Sequence, residues 1–146
     1  LFKKFSDISG TILIQTLREL ETGGITPLPQ DTTRATYCKK IEKEDGIIDW
    51  SETAKKIYNK WQAYTPWPGI YTQYEGKRLL LEKVGYIEVE SNERIVWSVK
   101  KLENGKIGVI CGDGILTLDQ VKLEWKKSQN IRDFMNGNQK FIWITL

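Results

Sequence analysis

The sequence predicts a mainly β protein with helices (α+β): a small, strongly bent barrel preceded by an isolated helix and an extended linker. Three observations predict it. Beyond Tyr71, short apolar alternations are separated by tight-turn signals at Glu75-Gly76, at Asn104-Gly105 and in "CGDG" at 111–114. Just before them, a helical period in "DWSETAKKIYNKWQAYTP" stops on a proline. Earlier still, one helical period stands alone, followed by polar, proline-punctuated chain.

In that first helix Ile8, Ile12, Leu13, Leu17 and Leu20 recur at helical spacing, Ser6 or Asp7 is the expected cap, and Gly23-Gly24 ends it. "ITPLPQDTTRATYCKKIEKEDG" has no apolar period and reads as linker, stiffened by Pro27 and Pro29. The second helix is expected to start on Ser51 or Asp49, with Glu52 in its positive first turn. Ala54, Ile57, Tyr58, Trp61 and Tyr64 give it one apolar face, and Pro66 stops it. "PWPG" then reads as a corner, with Trp67 expected to plug the end of the barrel and Pro68-Gly69 turning the chain into the first strand. Strands are expected at 71–74, 77–84, around Ile95, Trp97 and Val99, around Ile107, Val109 and Cys111, and at 115–125. "NIRDFMNG" predicts a short helix capped by Asn130 with Gly137 past its end, and "FIWITL" a closing strand.

Composition narrows the chemistry. The 146 residues include no histidine, so a Ser-His-Asp triad, a Cys-His pair and an HExxH zinc site are all impossible. Cys38 and Cys111 are far apart and form no CxxC, which suits two reduced thiols. Cys111 in "CGDG" lacks a histidine base, so a tight turn is the better reading of that motif. Glu44, Asp45 and Asp49 are read as caps and solvated acids rather than as a metal site, and no metal is expected. No run approaches the apolar length of a membrane span, no signal-peptide core is present, and no membrane partner is expected. The first residue is Leu, close to a helical pattern, so the chain reads as part of a longer protein.

The formal net charge is only +3, but the cations are doubled: Lys39-Lys40 with Lys43, Lys55-Lys56, Lys77-Arg78, Lys100-Lys101 and Lys126-Lys127. A lysine on an open linker has no core to solubilise and is free to follow a phosphate backbone. Six tryptophans and six tyrosines supply flat faces on which a base can stack.

Taken together, "PLPQDTTRATYCKKIEKEDGIIDWSETAKKIYNKWQAYTPWPGIYT", "CGDGILTL" and "KKSQNIRDFMNG" resemble the linker and C-terminal part of the methionyl-tRNA formyltransferase family, over nearly the whole chain. The resemblance implies an OB-like small Greek-key barrel at 47–146, a linker at 25–46, and, at 1–24, the last helix of a Rossmann-like formyltransferase domain. In that family the first domain carries catalytic asparagine, histidine and aspartate and takes the formyl group from 10-formyltetrahydrofolate. The barrel and linker hold methionyl initiator tRNA for translation initiation. The piece in hand is therefore expected to bind and orient tRNA without catalysis or a cofactor of its own, beside a catalytic domain in cis, in the cytoplasm or an organellar matrix. By position the RNA-binding residues implied are Lys40, Lys43, Lys77, Lys126 and Lys127, with Lys39 and Arg78 adding charge nearby. This sequence departs from the family pattern at Cys38, Gln62, Ile70 and Asn130, and at Trp125, where glycine is common; the indole is read as either packing inward or stacking on a base. Two other readings stay open: the accessory domain of a sugar-nucleotide formyltransferase, and a barrel that only braces its partner domain.

Overall fold

The computed structural model describes residues 2–89 and 97–143. The chain divides into two units, Leu1–Lys39 and Lys40–Leu146. The first contains helix α1, Phe2–Glu21, none of whose residues is buried. Its apolar stripe of Phe5, Ile8, Ile12 and Leu20 is exposed. Phe2 and Phe5 prolong the apolar pattern and nothing before Ser6 breaks a helix, so Ser6 and Asp7 lie inside the helix rather than capping it. At the far end the Gly24 N–H donates to the Glu19 carbonyl at 2.7 Å and Gly23 to Leu20 at 3.2 Å. That pairing needs the left-handed backbone of Gly23, φ 72°. Beyond it the chain is exposed, with one 3-10 turn, Thr32–Arg34, capped by the Asp31 carboxylate.

The second unit begins with a 3-10 turn, Lys43–Gly46. Helix α2 follows at Ala54–Tyr64. The strands are β1 Ile70–Tyr74, β2 Lys77–Ile87, β3 Val99–Lys101, β4 Ile107–Ile110, β5 Ile115–Leu123 and β6 Gln129–Asn130. Helix α3, Ile131–Gly137, and a 3-10 helix, Gln139–Trp143, end the described chain. The strands form one curled antiparallel sheet in the order β1-β2-β5-β4-β3, with β6 on β5. Consecutive strands β3, β4 and β5 pair in turn and β2 lies beside β5, which is a Greek key. The fold is the mainly β, helix-bearing small barrel that the sequence predicts.

Alternation builds the core. Leu79 and Leu81 of β2 point inward with Val109, Leu116, Leu118 and Val121 of the neighbouring strands, all essentially buried. Register slips between Leu81 and Val84, so β2 bends there. The Trp61 indole N–H donates to the Glu82 carbonyl inside that irregularity, at 3.2 Å. With Ala54 and Ile57 fully buried, this bond fixes α2 on the curled face; burying a side chain such as Ile57 contributes roughly 1.5–3 kcal/mol.

Several expectations are corrected. Thr53, not Ser51 or Asp49, caps α2, its hydroxyl accepting the Lys56 N–H at 3.2 Å. The reason is long-range. The Gly112 N–H donates to the Trp50 and Glu52 carbonyls, and the Ala54 N–H donates to the Asp113 carbonyl at 2.7 Å, so "CGDG" clasps residues 50–54 in a non-helical path. A Cβ on Gly112 would overlap the Ser51 carbonyl. Trp67 is 60% exposed and plugs nothing; Trp61 does the docking instead. Trp97 takes φ 78° and its N–H bonds the Ile110 carbonyl, so β3 starts only at Val99, and Ile95 lies outside the described residues. Residues 141–143 are helical rather than extended. Phe141 turns into the core against Tyr74 and Phe134, where two edge-on ring contacts hold it, and residues 144–146 lie outside the description. Gly137 belongs to α3, and Asn138 caps it.

Candidate nucleic-acid interface

The outer face of the β1–β2–β5 ladder carries the site. The 3-10 turn is stiffened at one end by the Asp45 carboxylate, which accepts the Glu42 N–H at 2.8 Å. At its other end Gly46 lies so close to the Gly69 carbonyl and the Tyr71 ring that no larger residue fits. Ile47 bridges to Tyr71 and the Ile48 N–H donates to the Tyr71 carbonyl at 3.0 Å. Residues 43–48 are thus latched to β1, and Lys43 is held beside the sheet.

On β2, Leu79 and Leu81 face inward, so Arg78 and Leu80 face outward. Leu80 pairs directly with Lys122 of β5, which places that ammonium on the same outer face. Past the end of β5 the Glu124 N–H donates to the Arg78 carbonyl at 2.9 Å, and its carboxylate accepts the Arg78 N–H at 3.3 Å. The chain then reverses at Trp125, φ 63°, with the Lys126 N–H returning to the Leu123 carbonyl. The Arg78 guanidinium lies 5.1 Å from the Tyr71 ring centroid, a cation–π contact that orients its fork.

These segments enclose an open cleft of about 430 Å³ lined by Lys43, Arg78, Leu80, Lys122, Leu123, Glu124, Trp125 and Lys126. Four cations and one carboxylate face it. Among the described residues none of the four cations forms a salt bridge. The doublet on α2 is different: Lys55 pairs with Glu88 at 3.0 Å and Lys56 with Glu52 at 2.6 Å. Those lysines have local work to do, and the cleft cations are available to an outside anion.

Of the residues singled out from the sequence, the cleft gathers Lys43, Arg78 and Lys126. Lys127 is exposed beside it without lining it, and Lys40 is exposed three residues before Lys43. Lys77 is exposed at the β1–β2 hairpin but belongs to the inward-facing row of β2, opposite in direction to Arg78. Lys39 is exposed and falls in the first unit. Lys122 stands in no doublet; its signal in the sequence is the alternation of Val121, Lys122 and Leu123. Trp125 was noticed only as a departure. It is 91% exposed, so it does not pack inward.

The remaining chemistry is sparse. Cys111 is fully buried, and burial pushes its thiol up to about 11, so it is no nucleophile. Hydrogen bonds from Ser51 hold the exposed Asp49 carboxyl below its ordinary range, and this pair forms a turn. Among the described residues no three acidic or thiol groups are placed to hold a metal ion. A second recess, about 410 Å³ and mostly apolar, lies beside Trp50, Tyr71 and Trp97; the Trp50 indole N–H is already engaged by Thr72. No described helix is long and apolar enough to cross a membrane.

Fold and cleft together define a small Greek-key barrel with one docked helix and a cationic outer face. The chain belongs to the formyl transferase C-terminal domain family, whose profile matches residues 40–139. It is 34% identical over 139 residues to a methionyl-tRNA formyltransferase of Acidobacterium capsulatum, covering 94% of this chain and 44% of that protein. To a methionyl-tRNA formyltransferase of Pseudoalteromonas translucida it is 35% identical over 147 residues, covering 99% and 45%. The chain therefore spans less than half the length of the curated relatives it matches. Among solved structures, HypX from Aquifex aeolicus shares the fold, with a TM-score of 0.59, 20% identity, and coverage of 88% of this chain and 23% of HypX.

Proposed function

We propose that this chain is the C-terminal, tRNA-holding part of a methionyl-tRNA formyltransferase, which formylates the amino group of methionyl initiator tRNA from 10-formyltetrahydrofolate. The observation that carries the reading is the convergence of Lys43, Arg78, Lys122 and Lys126 on one open cleft from separate segments of the barrel. Evenly scattered solubilising lysines have no reason to meet there. Phosphates supply the matching charge, and an A-form acceptor or stem presents them with 2′-hydroxyls in a shape that lysine and arginine read without sequence. Sheet register fixes Arg78 and Lys122, the latched 3-10 turn fixes Lys43, and the Lys126 N–H bond to the Leu123 carbonyl fixes Lys126, so the surface is pre-organised.

The remaining steps of the proposal follow. Residues 1–24 are the closing helix of a Rossmann-like catalytic domain, which fits the exposed apolar stripe of α1 and the greater length of the relatives. Residues 25–46 link it to the barrel at 47–146. The barrel contributes tRNA orientation and raises the effective concentration of the acceptor end at the catalytic domain, without taking part in the chemistry. The reaction belongs to the cytoplasm or an organellar matrix, where initiator tRNA is charged.

Filter binding of methionyl initiator tRNA across a salt series tests this. The expected result is micromolar or weaker affinity whose logarithm falls by roughly 0.7–0.9 per phosphate contact for each log unit of salt. Salt-independent binding, or saturation by a UDP-sugar with no binding of tRNA, contradicts it.

A further inference from the structure

Trp125 is the residue of the cleft whose side chain folding does not explain. Its backbone occupies the left-handed region at φ 63°, which glycine enters freely and a bulky side chain does not. Its indole is 91% exposed, so burial returns nothing for that conformation. A turn or bridging bond sets the backbone at all three described non-glycine residues of positive φ: Glu75 sits in a two-residue hairpin with Gly76, the Trp97 N–H reaches the Ile110 carbonyl, and the Lys126 N–H reaches the Leu123 carbonyl around Trp125. Trp125 differs in its side chain, 91% exposed against 40% for Trp97. A large unpacked ring at a turn position that suits glycine, lining a cleft with four cations, is an arrangement aimed at a ligand.

We infer that Trp125 is a stacking platform for one unpaired base of an RNA whose flanking phosphates are taken by Lys122 and Lys126. The inference rests on the reading of the cleft as an RNA-binding surface and adds the feature read there. Strands β2 and β5 fix Arg78 and Lys122, and the turn leaves the indole exposed beside them. A base inside a duplex has both faces covered by its neighbours, so the platform selects an unstacked nucleotide in a loop, bulge or overhang. Recognition by stacking is tolerant of base identity, since every base has a flat face. The charge around the ring commits it to a polyanion: four cations against a single carboxylate would repel the mixed rim of an ordinary protein partner.

The test uses the full chain and two hairpin RNAs with the same stem and a six-nucleotide loop. One loop is adenosine and the other abasic, so the phosphates are equal and only the bases differ. The wild-type chain is expected to bind the adenosine loop about five- to hundredfold more tightly than the abasic one, the range that base–aromatic stacking supplies. Trp125→Gly, which suits the backbone, is expected to bind both equally, at the wild-type abasic level, and Trp125→Phe to retain part of the preference. Lys122→Glu should weaken both RNAs by a similar factor and keep the preference. Equal wild-type binding of the two loops, or an undiminished preference in Trp125→Gly, overturns the platform while leaving the cationic cleft standing. No binding of either RNA at low salt overturns the cleft and the platform together.

Discussion

Cys111 shows how far a single residue type misleads when read alone. Beside Gly112 and Asp113 it looks like a reactive thiol in a turn. In the fold it is wholly buried at the end of β4, its S–H donating to the Val109 carbonyl at 3.5 Å. Burial raises its pKa from 9.0 to about 11, so the folded protein holds the proton that the unfolded chain releases. The stabilisation is complete below pH 9 and is lost as pH rises through 11. A shift of that size corresponds to about 2–3 kcal/mol. Urea unfolding at pH 8 and pH 11 should show a loss of that order in the wild type beyond the loss in Cys111→Ala; equal pH slopes in the two proteins would contradict the assignment. Gly112 was legible as a turn residue and Gly46 only as part of the linker, yet the reason for each is close approach to a residue distant in sequence, Ser51 and Gly69 respectively. A local pattern carries no information about that.

At the scale of elements, the latch between the 3-10 turn and β1 decides whether Lys43 belongs to the cleft. Gly46→Ala pushes a methyl into the Gly69 carbonyl and the Tyr71 ring, so residues 43–48 must lift. Overpacking of this kind destabilises by about 1–3 kcal/mol. It should also weaken tRNA binding severalfold and lower the salt slope by about one contact; a variant that loses stability but keeps its slope would show that Lys43 is not a contact. The turn signals at Glu75-Gly76, Asn104-Gly105 and "CGDG", with the apolar residues between them, made β1, β2, β4 and β5 readable. Proline made the end of α2 readable. The start of α2 was not, since its cap is chosen by the "CGDG" clasp. "FIWITL" is an apolar, β-branched run like a buried strand, but the place beside Tyr74 and Phe134 takes Phe141 from a helical backbone instead. The site divides the same way. Doublets mark exposed charge and so found Arg78 and Lys126, while Lys43 came from its place near Lys39-Lys40 and from the family resemblance. Convergence depends on the register that sets Leu80 against Lys122, which no local pattern displays. Lys77 and Arg78, adjacent in sequence, part company because a strand sends neighbours to opposite faces.

For the whole second unit, the central claim is that the location of charge, rather than its sum, binds RNA. Lys122 and Lys55 make the comparison. Lys122 lies in the cleft near the end of β5. Lys55 lies in a recess with Ile87, which pairs Ile115 at the start of the same strand, roughly 20 Å away at about 3.3 Å per strand residue. Lys122→Glu and Lys55→Glu change the net charge identically. The decisive measurement is the affinity of each variant and of the wild type for initiator tRNA over a salt series. Lys122→Glu is expected to weaken binding about tenfold and to lower the salt slope by about one, while Lys55→Glu stays within about twofold of the wild type. Equal losses in the two variants, or a wild-type affinity indifferent to salt, would contradict the central claim.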